Sequence, residues 1–318
     1  VKFLLSLLLA LRVLSAAVAA DELQQTAIQH ANLETQLEAL FAPGRDVLDV
    51  KLAIDAMLEP SARIDESRAA VNELSTTLLP WAKGARTSHD KLKVLRRFIY
   101  EAGPWNSYRP FVYDMADPSG KNPNNQMLTS YLQTRLGNCV TMPILVMILG
   151  RRLGLRMTLV DAPSHVFVKF TDDLGKEWNL EATSGAGYTR DVWYRQNISM
   201  KDEAVTNGTY LRALGDEEVK ALMLSSLASK ELKIGSPENA IVIANVMLRH
   251  APRLVLGWLY RGSAYGKLLR RDITEPFPDL AFLPPDIRAY AETLYRQNLA
   301  DFAQAEALGW TERDGVKQ

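Results

Sequence analysis

The sequence predicts an α+β fold: a helical N-terminal part, a buried central helix packed on a small antiparallel sheet, and an all-helical C-terminal region. Three observations carry this. Apolar residues recur at helical spacing up to about Arg97 and again beyond about Asp216. The run Met142 to Leu149 is apolar on every side, as a buried helix must be. Between these parts, Val166, Val168 and Phe170 alternate with His165, Phe167 and Lys169, and a turn-forming Thr171-Asp172-Asp173-Leu174-Gly175 leads to Trp178–Glu181, which is the pattern of a β-hairpin.

Residues 1–20 carry Lys2, the apolar run Phe3 to Leu11, and small residues at Ala16, Ala17, Ala19 and Ala20, the pattern of a secretory signal cleaved after Val18-Ala19-Ala20. This predicts a periplasmic or secreted protein without an integral membrane segment once the signal is removed. Residues 21–215 are then expected to form one domain with a helical N-terminal part, and 216–318 a helical region. In the first, Leu48, Leu52, Ile54, Met57 and Leu58 and then Val71, Leu74, Leu78 and Leu79 mark amphipathic helices, broken at Pro43-Gly44, Pro60 and Lys83-Gly84. Ser107 to Gln126, rich in Asn, Pro, Asp and Gly, reads as a long loop. Met127 to Leu155 reads as two helices divided at Gly137-Asn138-Cys139, with a further strand at Met157 to Val160. In the C-terminal region, Ser236-Pro237-Glu238 is a helix start with serine as the cap. The following pattern through Trp258, Gly262, Ala264 and Tyr265 resembles a tetratricopeptide unit, with a second helix pair expected in Tyr290 to Trp310.

Composition removes several functions. The 37 basic and 37 acidic side chains balance, and no basic stripe is present, which argues against nucleic acid as a partner. A single cysteine excludes an internal disulfide and any multi-cysteine metal site. His30, His89 and His250 have no metal-ligand spacing, and no glycine-rich phosphate loop follows a strand, so neither a metal nor a cofactor is expected.

The chemistry concentrates between residues 126 and 190. Pro143 is tolerable only in a first turn, which places the start of the central helix near Cys139 to Thr141. A thiol there sits at the positive end of the helix dipole, which favours its nucleophilic form. A cysteine nucleophile needs an imidazole to move its proton, and the imidazole needs an acceptor to orient it. His165 and Glu181 lie symmetrically about Asp173, so a symmetric hairpin sets them directly opposite on adjacent strands. Asn179 shares the strand face of Glu181 and is the alternative third member. For an oxyanion, the Cys139 N–H is the natural first donor; Gln133, six residues earlier, and the amides of Asn122 to Gln126 are further candidates.

The stretch from about Leu128 to Gly187, with YLQTRLGNCVTMPILVMILGRRLGL, SHVFVKF and WNLEATSG, resembles the transglutaminase-like superfamily and its papain-like Cys-His-Asp arrangement. The resemblance implies a papain/transglutaminase-like core with Cys139 as nucleophile, His165 as general base and acid, and Glu181 as orienting carboxylate where many members carry aspartate. Joined to tetratricopeptide-like helices, it looks like a bacterial branch of that superfamily. It implies an exported amide or peptide hydrolase or acyltransferase acting on a peptide or protein substrate, with hydrolysis favoured over cross-linking. The competing class is a non-catalytic binding scaffold, in which the C-terminal helices engage a protein partner.

Overall fold

The computed structural model describes residues 24–118 and 120–314. The predicted export segment lies outside them. Among the described residues the chain begins with helix α1 (24–38), followed by α2 (Val47–Leu58), α3 (Ile64–Trp81) and α4 (Ser88–Tyr100). The breaks at Pro43-Gly44, Pro60 and Lys83-Gly84 all fall between these helices. Capping explains two of the starts: Asp46 accepts the Leu48 N–H at the head of α2, and Thr87 accepts the Asp90 N–H at the head of α4.

The segment expected to be a long loop is more structured than its composition implies. It holds a short strand β1 (Val112–Tyr113), which pairs in parallel with β2 (Leu136–Gly137), and a 3-10 turn at Pro123–Gln126. Between them and the sheet come α5 (Leu128–Thr134) and α6 (Thr141–Arg152). Every residue of α6 from Thr141 to Gly150 is buried. The main sheet is antiparallel in the order β3 (Arg156–Ala162), β4 (His165–Thr171), β5 (Glu177–Glu181) and β6 (Gly187–Thr189). Strand alternation assigns its two faces: Leu159, Val168, Phe170 and Leu180 join the core around α6, while Val160, Ala162 and Phe167 pack with Tyr194 on the other side.

The hairpin register differs from the symmetric expectation. Thr171 pairs with Glu177 and Val168 with Leu180, which centres the turn on Leu174. Asp172 builds this longer turn, accepting the N–H groups of Leu174 and Lys176 on one carboxylate oxygen and the Trp178 indole N–H on the other. Continuing the ladder sets Glu181 opposite Phe167, so His165 is its diagonal neighbour rather than its direct partner. A shift by an even number of residues keeps both side chains on one face, which is why the expected proximity survives the change.

After the sheet come two short helices, α7 (Asp191–Asn197) and α8 (Asp202–Thr206), and then α9 (Asp216–Met223), α10 (Ser225–Ile234), α11 (Pro237–His250), α12 (Val255–Leu269) and α13 (Pro285–Ala307). Ser236 holds the N-cap position of α11, but its side chain makes no capping hydrogen bond. The second helix pair expected in Tyr290 to Trp310 is instead one long helix, α13, which packs along α12. No glycine or proline interrupts Asp286 to Ala307, so nothing in the chain forces a turn there. Helices α10 and α11 are continuous with the central core: Leu227, Ile243, Val246 and Met247 belong to the same apolar cluster as α2, α4, α6 and the sheet. Among the described residues no helix is long and apolar enough to cross a membrane.

Candidate active site

The peptide before α6 is shaped by close packing and by one asparagine. A side chain at Gly137 would meet the Tyr131 ring at 2.6 Å and Thr141 Oγ1 at 2.8 Å, so only glycine allows the chain to pass there. Asn138 Oδ1 then accepts the N–H groups of Val140 at 2.8 Å and Thr141 at 3.3 Å, capping the first turn of α6 from one residue before the cysteine. Cys139 is left half-buried in the turn, with the helix beginning two residues on at Thr141. None of the hydrogen bonds among the described residues uses its N–H, so that donor is free to meet a ligand oxygen.

His165 is the first residue of β4 and follows the tight Pro163-Ser164 turn, where Ser164 takes φ 57°. Its Nε2 lies 2.8 Å from Glu181 Oε2, and the Cys139 side chain is near enough to act on the ring's protonation. With Nε2 committed to the carboxylate, Nδ1 is the nitrogen left for the sulfur. The His165 side chain is 17% exposed and that of Glu181 6%. Burial alone would strip the proton from the ring, but its interactions with Cys139 and Glu181 outweigh it and push the imidazole up to about 10. Burial likewise opposes the Glu181 charge, yet its bonds to His165 and Thr183 hold the carboxyl below its usual range.

Two further residues hold Glu181. Thr183 donates its N–H at 3.0 Å and its hydroxyl at 2.5 Å to Oε1, and the fully buried Tyr194 of α7 donates its hydroxyl at 3.0 Å to Oε2. Both were missed in the sequence. Thr183 carries a signal, since a hydroxyl residue two positions past an acidic side chain is the pattern of a local side-chain turn. Tyr194 carries none, because it reaches the carboxylate from a separate short helix.

The other sequence candidates lie elsewhere. Asn179 does not reach His165: its amide donates to Asp191, and its strand position is opposite Lys169. Gln133 is exposed on α5 and does not line the cavity beside Cys139. Between the two, Arg135 in the left-handed region at φ 62° and the pairing of β2 with β1 turn the chain, so the six-residue spacing does not bring Gln133 back to the cysteine. In the Asn122–Gln126 loop, Asn125 donates to Asp114 and Asp117, while Gln126 does line the cavity. Gln126 is anchored from behind: its carbonyl accepts the ammonium of Lys51, which is fully buried with Asp55 at 2.8 Å, and Asp55 also accepts the Thr129 N–H.

Cys139 and His165 open into a cavity of about 340 Å³, at the lower end of the range for small-ligand sites. One wall comes from the head of α6 and the β3–β4 hairpin. The other comes from the C-terminal region, with Met223, Ser226, Ser229, Leu259 and Tyr260. No group of three or more His, Cys, Asp or Glu able to hold a metal is found among the described residues.

Among known proteins, the model of the transglutaminase-like superfamily matches residues 56–224, more than half of the chain, and the matched segment contains Cys139, His165 and Glu181. No curated protein and no solved structure matches the chain.

Proposed function

The chain belongs to the transglutaminase-like superfamily, and on that premise we propose that it is an exported cysteine-dependent amide hydrolase or acyltransferase working through Cys139, His165 and Glu181. The observation that carries the proposal is that Cys139 and His165 line one cavity, with the His165 ring held from behind by the Glu181 carboxylate at 2.8 Å. Export is supported by the charged, apolar and small-residue order of residues 1–20.

In the proposed reaction the Cys139 sulfur attacks the carbonyl carbon of an amide, forming a C–S bond and placing negative charge on the oxygen. The Cys139 N–H, which no hydrogen bond among the described residues uses, is the donor this charge would meet. As the C–N bond breaks, His165 gives its proton to the departing amine. Water then attacks the thioester carbon as His165 takes its proton, the C–S bond breaks with Cys139 leaving as the thiolate, and the carboxylic acid departs; an amine entering in place of water gives a new amide. Glu181 stays ionised throughout, fixing the ring and balancing its charge. Because the cavity wall includes the C-terminal helices, those helices shape what enters.

The test is alkylation of Cys139 by iodoacetamide at neutral pH. The expected rate is about tenfold or more above that of free cysteine, falling back in His165→Ala. A rate equal to free cysteine and indifferent to His165→Ala refutes the proposal and leaves the binding scaffold. A C-terminal docking partner would then be the function to seek.

A further inference from the structure

The cavity wall facing α12 contains a carboxylate that the acyl-transfer chemistry does not use. Asp161 is in β3, on the same strand face as Leu159 and paired across the hairpin with Val166, and all three line the cavity. It is only 5% exposed. Its main-chain oxygen accepts the Leu211 N–H at 3.1 Å, but no hydrogen bond to its carboxylate exists among the described residues. Arg212, the one cation among the described residues whose charge acts on it, is committed to Glu218. Burial pushes the carboxyl up to about 7, with Arg212 pulling weakly the other way.

A buried carboxylate without a partner is among the least stable states a side chain can hold, and a fold keeps one where a ligand completes it. The rest of the lining agrees. Among the described residues no lysine or arginine lines the cavity, and the other carboxylate there, Asp314, is already occupied by the hydroxyls of Tyr210 and Thr311. Ser225, Ser226, Ser229 and Tyr260 add hydroxyl groups to the wall supplied by the C-terminal region. The missing partner is therefore positively charged, compact and rich in N–H donors, which describes an ammonium group.

We propose that Asp161 is the specificity-determining residue of the site, receiving a primary ammonium group of the substrate, so that the acyl donor is a small amide bearing a free amine. The assignment of the amide as acyl donor rests on the acyl-transfer reading of Cys139. The volume of about 340 Å³ suits the end of a peptide or a single amino-acid amide and not a folded segment.

The test needs no turnover. Cys139 of the full chain is alkylated at about pH 8 with 2-bromoethylammonium and 3-bromopropylammonium and with the matching bromoalcohols, each rate divided by that of free cysteine. The sulfur displaces bromide, a C–S bond replacing C–Br, so the readout is the same for every reagent. The expected result is a cation-over-alcohol ratio raised about tenfold over free cysteine for at least one chain length, lost in Asp161→Asn and in Asp161→Ser. The bromoalcohol rates are expected to stay within about twofold, since no charge meets Asp161 in that case. A wild-type ratio equal to that of free cysteine, or a raised ratio that survives both variants, overturns the proposal. Thermal unfolding supplies the second check: Asp161→Asn is expected to leave Tm unchanged or raise it, and a fall of several degrees overturns the proposal by showing that the carboxylate already has a structural partner. A thiol that is slow toward every reagent, indifferent to His165→Ala, and still prefers the cation only in the presence of Asp161 would defeat the acyl-transfer reading and leave the ammonium site standing.

Discussion

Replacing Glu181 by glutamine removes one charge while keeping the side-chain volume. Glu181 accepts four hydrogen bonds, two from Thr183 on Oε1 and one each from His165 and Tyr194 on Oε2. An amide oxygen in the place of Oε1 keeps both Thr183 bonds, but the amide nitrogen then faces the His165 N–H and the Tyr194 hydroxyl. The tyrosine can rotate its O–H to accept. A protonated imidazole cannot, so the loss falls on His165. A hydrogen bond to a charged group contributes about 1.5–3 kcal/mol, and an ion left buried without its partner costs up to about 3–5 kcal/mol. The expected cost of Glu181→Gln in urea unfolding is therefore about 3 kcal/mol near pH 6. The pH dependence gives the sharper check. The folded His165 holds its proton up to about 10 against 6.5 for the ordinary group, so the unfolded chain binds fewer protons in between and stability falls as pH rises. The contribution of the pair is complete below about 6.5 and lost as pH passes through about 10, so the gap between wild type and Glu181→Gln narrows across that interval. It narrows again in acid, where the depressed Glu181 carboxyl is finally protonated. A gap of equal size at pH 6 and at pH 10.5 would refute the assignment of a charged His165–Glu181 pair.

Two other perturbations probe the frame of the site. Gly137→Ala forces a methyl against Tyr131 and Thr141; the expected cost is about 1–3 kcal/mol by denaturant titration, together with slower alkylation of Cys139, because the strained peptide lies two residues away. Lys51→Met leaves Asp55 buried without its cation and is expected to cost about 3–5 kcal/mol, whereas the double change Lys51→Met with Asp55→Asn recovers part of the loss; equal costs for the single and double variants would show that the pair is not coupled.

The parts of this site that local sequence encodes were legible, and those made by distant packing were not. The break at Gly137-Asn138-Cys139 follows from a glycine and an asparagine at the head of an apolar run, and the structure starts α6 at Thr141. The alternation in Val166 to Phe170 assigns strand faces without knowledge of neighbours, and that parity brings His165 and Glu181 to one side. The register itself was misread by two residues because Asp172 organises a wider turn through its own side-chain hydrogen bonds, which hydrophobic pattern does not report. Tyr194 and Asp161 were invisible as site residues for another reason. Each reaches the site from an element whose placement depends on the tertiary fold, and a buried aspartate inside a strand is identical in sequence to one that faces solvent. The parallel pairing of β1 with β2 and the strand β6 were lost in the same way, being two and three residues long and surrounded by turn-forming residues.

The family-matched segment stops at residue 224, one position before α10, yet Ser226, Ser229, Leu259 and Tyr260 on the far side complete the cavity. The proposed reacting groups and Asp161 thus lie inside the matched segment, while part of the wall around them is supplied from beyond it. A chimera exchanging everything after residue 224 would therefore recast that wall while leaving Cys139, His165, Glu181 and Asp161 in place.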